Sequence, residues 1–341
     1  MNILLTCAGR RNYLVRYFKE ALNGSGKVIA GDASTSSPAL AEADISVILP
    51  KINHPDYINE LQRVVEKHNA AAIISLNDLE LPILSEHKDR FKGVGCSVLV
   101  SDAEVIRTCF DKLETIRFAE SAGISTPKTF TDTESAIRAI EKNELDFPLV
   151  VKPRWGSASI GLEFPEDKTE LHYAYELLDY RLDRTMLKDV SGADRKRAIL
   201  IQEKIDGKEY GVDIINNLRG GHEAVIVKRK LAMRAGETDK AMTVKHPKLH
   251  EIATRVGRSL KHIGNLDADF FETAQGGLYL LEMNPRFGGG YPFSHEAGAN
   301  LPRAILHWLK GEKCPAHLLE ADFGIGFAKY DLLKKVPVGG E

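Results

Sequence analysis

Leu281-Glu282-Met-Asn284-Pro-Arg286-Phe-Gly-Gly-Gly290 is the stretch on which the fold turns. The apolar run Gly277 to Met283 reads as a strand, and Glu282 and Asn284, two residues apart on it, point to one face. Asp269 stands thirteen residues before Glu282, in a second strand over Asp267 to Phe271. That separation is a hairpin distance, which brings three oxygen-bearing side chains together; Asp267 competes with Asp269 for the inner place. Oxygen donors without His or Cys suit Mg²⁺ that also bridges phosphates. Arg286 can then neutralise a phosphoryl group in transfer. Each residue taken singly is also explained by an Asn-Pro turn that opens a loop.

Two further pieces lie upstream in a fixed order. Ile201-Gln-Glu-Lys-Ile-Asp-Gly-Lys-Glu209-Tyr-Gly-Val-Asp213 reads as strand, tight linker and strand. Such an edge can read adenine through backbone donors and acceptors while Glu209 holds ribose hydroxyls, although alone it is a polar hairpin. Before it, Lys152 ends the strand Phe147-Pro-Leu-Val-Val-Lys and runs into the loop Trp155-Gly-Ser-Ala-Ser-Ile-Gly161. A cation beside flexible backbone amides can grip nucleotide phosphates and close over them. From Ala198 onward strands dominate, over 198–202, 209–215, 223–230, 267–271 and 277–283, with a helix near 248–263. Strands segregated from helices predict an α+β region with an antiparallel sheet.

The first third has another pattern. Short apolar runs at 3–7, 28–30, 45–49, 71–76 and 96–100 alternate with amphipathic segments. The best of these puts Tyr13, Leu14, Tyr17, Phe18, Ala21 and Leu22 on one helical stripe. The alternation predicts a parallel, doubly wound α/β domain. Gly9 lacks the further glycines of a dinucleotide fingerprint, and Gly24-Ser-Gly-Lys27 lacks the first glycine and the Ser/Thr of a P-loop, so both read as turns. Asp78 and Glu80 follow the fourth strand at the edge where such sheets bind ligands, and helix capping explains them equally well. Arg10, Arg11, Asp78, Glu80, Arg234 and Tyr291 are the candidate substrate contacts.

Lys plus Arg at 46 against Asp plus Glu at 48 gives −2, which excludes a polyanion-wrapping surface and points away from nucleic-acid and membrane partners. The 341 residues require two or three domains. Four scattered cysteines and no CxxC pair exclude a disulfide scaffold and a zinc site. No apolar stretch is long enough for a signal core or a membrane span, so a cytoplasmic location is expected.

In its order of pieces the chain resembles the ATP-grasp superfamily, and within it the carbamoyl-phosphate synthetase large-chain-like branch. Asp111-Lys112 and Arg234-Ala-Gly-Glu-Thr-Asp-Lys240 add to the likeness. The resemblance implies a pre-ATP-grasp domain at 1–110, a small lobe with a phosphate-covering loop at 111–195, and a large lobe at 196–341 carrying the adenine, metal and substrate sites. It implies that Lys112, Lys152, Ser157 and Ser159 contact ATP phosphates, that Gln202 with the backbone of Glu203 and Ile205 reads adenine, and that Glu209 binds ribose. Asp269, Glu282 and Asn284 would hold Mg²⁺, with Mn²⁺ an acceptable substitute. Arg286, Lys228 and Arg234 would face the reacting groups.

The implied activity is ATP-dependent joining of a small carboxylate to an amine through an acyl phosphate, with release of ADP and phosphate; the family also makes a homodimer an expectation. The alternatives are bicarbonate or carbamate phosphorylation, a catalytically silent nucleotide-binding module and, third, a dinucleotide oxidoreductase.

Overall fold

The computed structural model describes residues 1–156, 161–185 and 187–336. The first sheet holds β1 (Asn2–Thr6), β2 (Val28–Asp32), β3 (Ile45–Ile48), β4 (Ala70–Ser75) and β5 (Ser97–Val98), all parallel, in the order β3-β2-β1-β4-β5. Helices cover both faces, so Ile3, Leu4 and Leu5 of β1 are all fully buried rather than alternating. The helix Asn12–Leu22 buries Leu14, Val15, Tyr17, Phe18 and Leu22, and Asn23 closes it in the left-handed conformation. Strand order reverses between β1 and β4, so their carboxyl ends, Thr6 to Gly9 and Ser75 to Glu80, border the crevice where a doubly wound sheet takes its ligand.

β6 (Thr129–Phe130), β7 (Leu149–Pro153) and β8 (Ile199–Glu203) form a small antiparallel sheet ordered β6-β8-β7. β8 lies beyond the expected lobe boundary at 195 yet belongs to this sheet. The reason is packing: Ile199 and Ile201 share a core with Leu149, Val151, Leu171 and Leu178, the last two from the helix Lys168–Leu182.

The remaining strands make an antiparallel sheet, β13-β12-β9-β10-β11-β14, from β9 (Lys208–Asn216), β10 (His222–Arg234), β11 (Glu237–Thr243), β12 (Gly264–Glu272), β13 (Leu278–Asn284) and β14 (Gly326–Ala328). One face of it packs on the helix Pro247–Leu260 and on Cys109 and Ala119, so the helix Lys112–Ser121 joins the large core although it precedes the small sheet in sequence. The N-terminal domain is fused to this sheet: Ile3, Leu5, Leu14 and Phe18 share one core with Ile215, Ile226, Phe287, Tyr291 and the helix Leu301–Leu309.

Candidate active site

The open face of the large sheet carries a lattice of charge set by strand register. Asp269 stands opposite Glu282 and Asp267 opposite Asn284 across β12 and β13. On the other side of β12, Asp267 pairs with Asp213 and Asp269 with Gly211 of β9, and Gly211 pairs in turn with Lys228 of β10. Residues directly opposite share a face, so these side chains converge. Gly211 makes room for the cations: a Cβ there would lie 3.3 Å from Cε of Lys230 and 3.7 Å from Oδ1 of Asp269.

Lys230 bridges two acids, with Nζ 2.8 Å from Asp269 Oδ1 and 2.7 Å from Glu209 Oε1. Burial works against its charge, but the two carboxylates outweigh burial and hold its pKa above the ordinary value. Asp269 is pushed up to about 7, first by burial and then by Asp267, Glu282 and Glu209, against the pull of Lys230. Lys228 is ion-paired with Asp213, both almost fully buried, and Asp213 also accepts from Asn265 Nδ2 at 3.0 Å and from the Ser294 hydroxyl. Arg286 reaches Asp78 at 2.7 Å and Asp267 at 3.5 Å. Gly288 lets backbone pass close to Asp267, because a Cβ on it would fall 2.0 Å from Asp267 Oδ2. Gly288→Ala must therefore displace Asp267 from Arg286; a loss of about 1–3 kcal/mol is expected by chemical denaturation, as for other overpacked sites.

Two cavities meet above this lattice. One, of ≈ 580 Å³, is lined by Lys112, Lys152, the 202–207 segment and Glu209, with Val150, Leu162, Phe164, Phe271 and Leu281 as apolar walls. The other, of ≈ 300 Å³, is lined on the N-terminal side by Arg11, Asn77 and Asp78 and on the sheet side by Lys228, Asp267, Asn284 and Arg286. Asp269 and Glu282 line both and form the shared wall. Asp267 lines only the smaller cavity, which separates the two aspartates and favours Asp269 as the carboxylate shared between them.

In the larger cavity Lys112 donates to the Gly156 carbonyl at 2.6 Å, and neither it nor Lys152 has a carboxylate within 4.0 Å among the described residues. Lys152 is lowered to about 8 by burial and by the charge of Lys112. Two unneutralised ammonium groups, Lys112 buried and Lys152 half-buried, make a site for an anion. Gln202 donates its amide nitrogen to Thr129 Oγ1 at 2.7 Å, which leaves its oxygen as an acceptor.

The pH dependence follows from the depressed Lys152 pKa. Below about 8 the ammonium is charged and ready for phosphate; above it the charge is lost. Isothermal titration should show affinity for ADP falling several-fold between pH 7 and pH 9, and Lys152→Met should flatten the profile. Without nucleotide the sign reverses: the unfolded chain binds the proton more tightly, so this group makes stability rise with pH from about 8 towards the lysine value of 10.5.

The expected site residues divide unevenly. Lys112, Lys152, Gln202, Glu203, Ile205, Glu209, Asp269, Glu282, Asn284, Arg286 and Lys228 all line a cavity. Arg234 does not: it sits at the β10–β11 turn, half exposed, paired with Asp239 at 3.0 Å and Asp331 at 2.7 Å, so the strand carries its charge away from the reacting face. Ser157 and Ser159 lie outside the described residues. Of the candidate substrate contacts, Arg11 and Asp78 reach the smaller cavity. Arg10 is exposed, Tyr291 is buried with its hydroxyl on Leu301 N, and Glu80 is buried under hydroxyls of Thr6, Ser75 and Tyr57. Sequence reading missed Lys230, Asp213, Glu237 and Asn77. The alternating Lys228-Arg-Lys230 was the available signal for the first.

The comparisons agree with this fold. Residues 3–99 match the family described as PylC-like, N-terminal domain, and residues 195–327 match ATP-grasp in the biosynthetic pathway with Ter operon. By that match, residues 195–327 form an ATP-grasp domain. The chain is 25% identical over 268 residues to the formate-dependent phosphoribosylglycinamide formyltransferase of Bacteroides fragilis, covering 76% of this chain and 64% of that protein. It is 27% identical over 248 residues to the carbamoyl phosphate synthase large chain of Clostridium botulinum, covering 68% of this chain and 21% of that one. The chain thus spans less than two thirds of these curated relatives. Among solved structures, the biotin carboxylase domain dimer of the Hydrogenobacter thermophilus 2-oxoglutarate carboxylase, in complex with MgADP, ADP and bicarbonate, superposes with a TM-score of 0.71 at 16% identity, over 92% of this chain and 70% of that one. No helix among the described residues is long and apolar enough to cross a membrane.

Proposed function

We propose that the chain is an ATP-dependent carboxylate–amine ligase that works through an acyl phosphate. The observation that carries the reading is the shared wall: a nucleotide-sized cavity and a smaller polar cavity meet at Asp269 and Glu282. Lys112 and Lys152 would hold the phosphates, Gln202 and the 203–205 backbone the adenine, and Glu209 the ribose.

The donor set on the wall fits magnesium. Asp269 and Glu282 face each other across two strands, and Asn284 Nδ2 contacts Glu282 Oε1 at 3.4 Å, leaving the Asn284 amide oxygen as a third donor. Among the described residues no group of three or more His, Cys, Asp or Glu side chains is placed to hold a metal. A cation here would therefore complete its shell with Asn284 and phosphate oxygens, the habit of Mg²⁺ rather than of zinc. When bound, the ion supplies charge screening across the phosphate oxygens.

The chain's own part is positioning. The reading needs no protein nucleophile: the phosphoryl group passes directly between substrates. A carboxylate oxygen in the smaller cavity attacks the γ-phosphorus, the bond to ADP breaks, and Arg286 lies beside the wall to offset charge in transfer. The amine then attacks the acyl carbon, phosphate leaves with the bonding electrons, and the amine loses a proton.

An acid labelled with ¹⁸O in its carboxylate tests the reading. One labelled oxygen should appear in the released phosphate only when acid, amine and ATP are all present. Absence of ADP release across a broad panel of acids and amines would overturn it, and release with bicarbonate and ammonia alone would replace it with carbamoyl phosphate formation.

A further inference from the structure

The ≈ 300 Å³ cavity contains one cation that no carboxylate among the described residues neutralises. Lys228 is paired with Asp213, Lys230 with Asp269 and Glu209, and Arg286 with Asp78 and Asp267. Arg11, from the N-terminal domain, has no carboxylate within 4.0 Å among the described residues. Its one hydrogen bond goes to the carbonyl of Phe287, so the guanidinium is held in place without being discharged. An unpaired, half-buried guanidinium fixed at a cavity wall is a receptor for an anion.

Two buried donors in the same region lack partners among the described residues. The Tyr13 hydroxyl is buried with no hydrogen bond to any described residue, in the field of Arg11, Glu237, Arg286 and Asp267. Nε of Arg286, on a side chain only 7% exposed, is also unsatisfied. Asn77 adds a third donor at the cavity wall: its Oδ1 accepts from Leu79 N at 2.9 Å, while its Nδ2 bonds to nothing described. A donor left unmade costs about 1–3 kcal/mol when a ligand buries it, so the open Nδ2 of Asn77 beside one unpaired cation calls for an acceptor. The acids on this side are already engaged, Asp78 by Arg286 and Glu237 by Lys329 at 3.4 Å.

We infer that the acid substrate carries a second anionic group, separate from the carboxylate that is activated, and that Arg11 with Asn77 receives it. This rests on the smaller cavity being the acid site of the proposed ligase. The cavity lies at the small end of ligand pockets, which run from ~300 to 1,000 Å³, so the substrate class is a compact diacid or an acid bearing a phosphate.

The test is direct binding. Protein saturated with Mg·ADP is titrated calorimetrically with malonate, succinate and glutarate, with phosphoglycolate, and with the chain-matched monoacids acetate, propionate and butyrate. At least one dianion should bind about tenfold or more tightly than its monoanion counterpart, and which arm wins, dicarboxylate or phosphate, names the second group. Arg11→Ala should erase the difference, and Arg11→Lys should retain part of it. A residue that served only to dock the domain on Phe287 would lower the midpoint and leave dianion selectivity intact. Equal binding of monoanions and dianions, selectivity that survives Arg11→Ala, or no binding by any probe overturns the inference. Selective dianion binding without ADP release under any amine would instead refute the ligase reading and leave this one standing.

Discussion

Replacing Glu282 with glutamine should lower turnover by a hundredfold to a thousandfold, read as ADP release at saturating ATP and magnesium. The substitution keeps length and hydrogen-bonding capacity, so Asn284 Nδ2 can still contact position 282 and the strand register is undisturbed. What it removes is one of the two carboxylates that line both cavities. A preorganised charge aimed at a developing phosphoryl centre carries an effect of about 10²–10³ in rate. The variant should bind magnesium-free ADP as the parent does, since the proposed adenine and phosphate contacts lie on other elements. Turnover within threefold of the parent would remove Glu282 from the reacting centre.

The second large effect is on stability. Asp213→Ala leaves the Lys228 ammonium buried without its counter-ion, and takes away the acceptor for Asn265 and Ser294. Breaking a buried pair from one side costs about 3–5 kcal/mol, so the thermal midpoint should fall on the order of 10 °C. The double variant Asp213→Leu with Lys228→Met should regain much of the loss, because it replaces two charges with apolar groups of similar volume. A single variant as stable as the parent would mean that Lys228 discharges or finds water.

The same residues show what the sequence discloses and what it hides. Periodicity located the parallel domain because each buried strand there is a short apolar block between helices. The Glu282, Asn284 and Asp269 face was legible because both spacings are local: two along a strand, and a hairpin. Lys230 was not legible. Its partners Glu209 and Asp269 lie on β9 and β12, and only the order β12-β9-β10 brings the three together. β11 was missed because Glu237-Thr-Asp-Lys240 is polar throughout; it is a strand because β10 and β14 flank it and Thr238, Ala241 and Thr243 turn inward. Arg11 was visible only as a cation after a strand, since its importance depends on which other cations are already paired.

The core common to the first helix and the segment after Arg286 sets the unit in which this architecture can be inherited or engineered. Leu14 and Phe18 pack with Phe287, Tyr291 and Leu301, and Arg11 bonds to the Phe287 carbonyl. A chimaera that exchanges residues 1–99 alone, to borrow another acid specificity, would graft a helix onto a foreign apolar seam. The exchangeable cassette is discontinuous: the N-terminal domain together with the segment from Phe287 to Leu306, two pieces that must travel together through recombination or design.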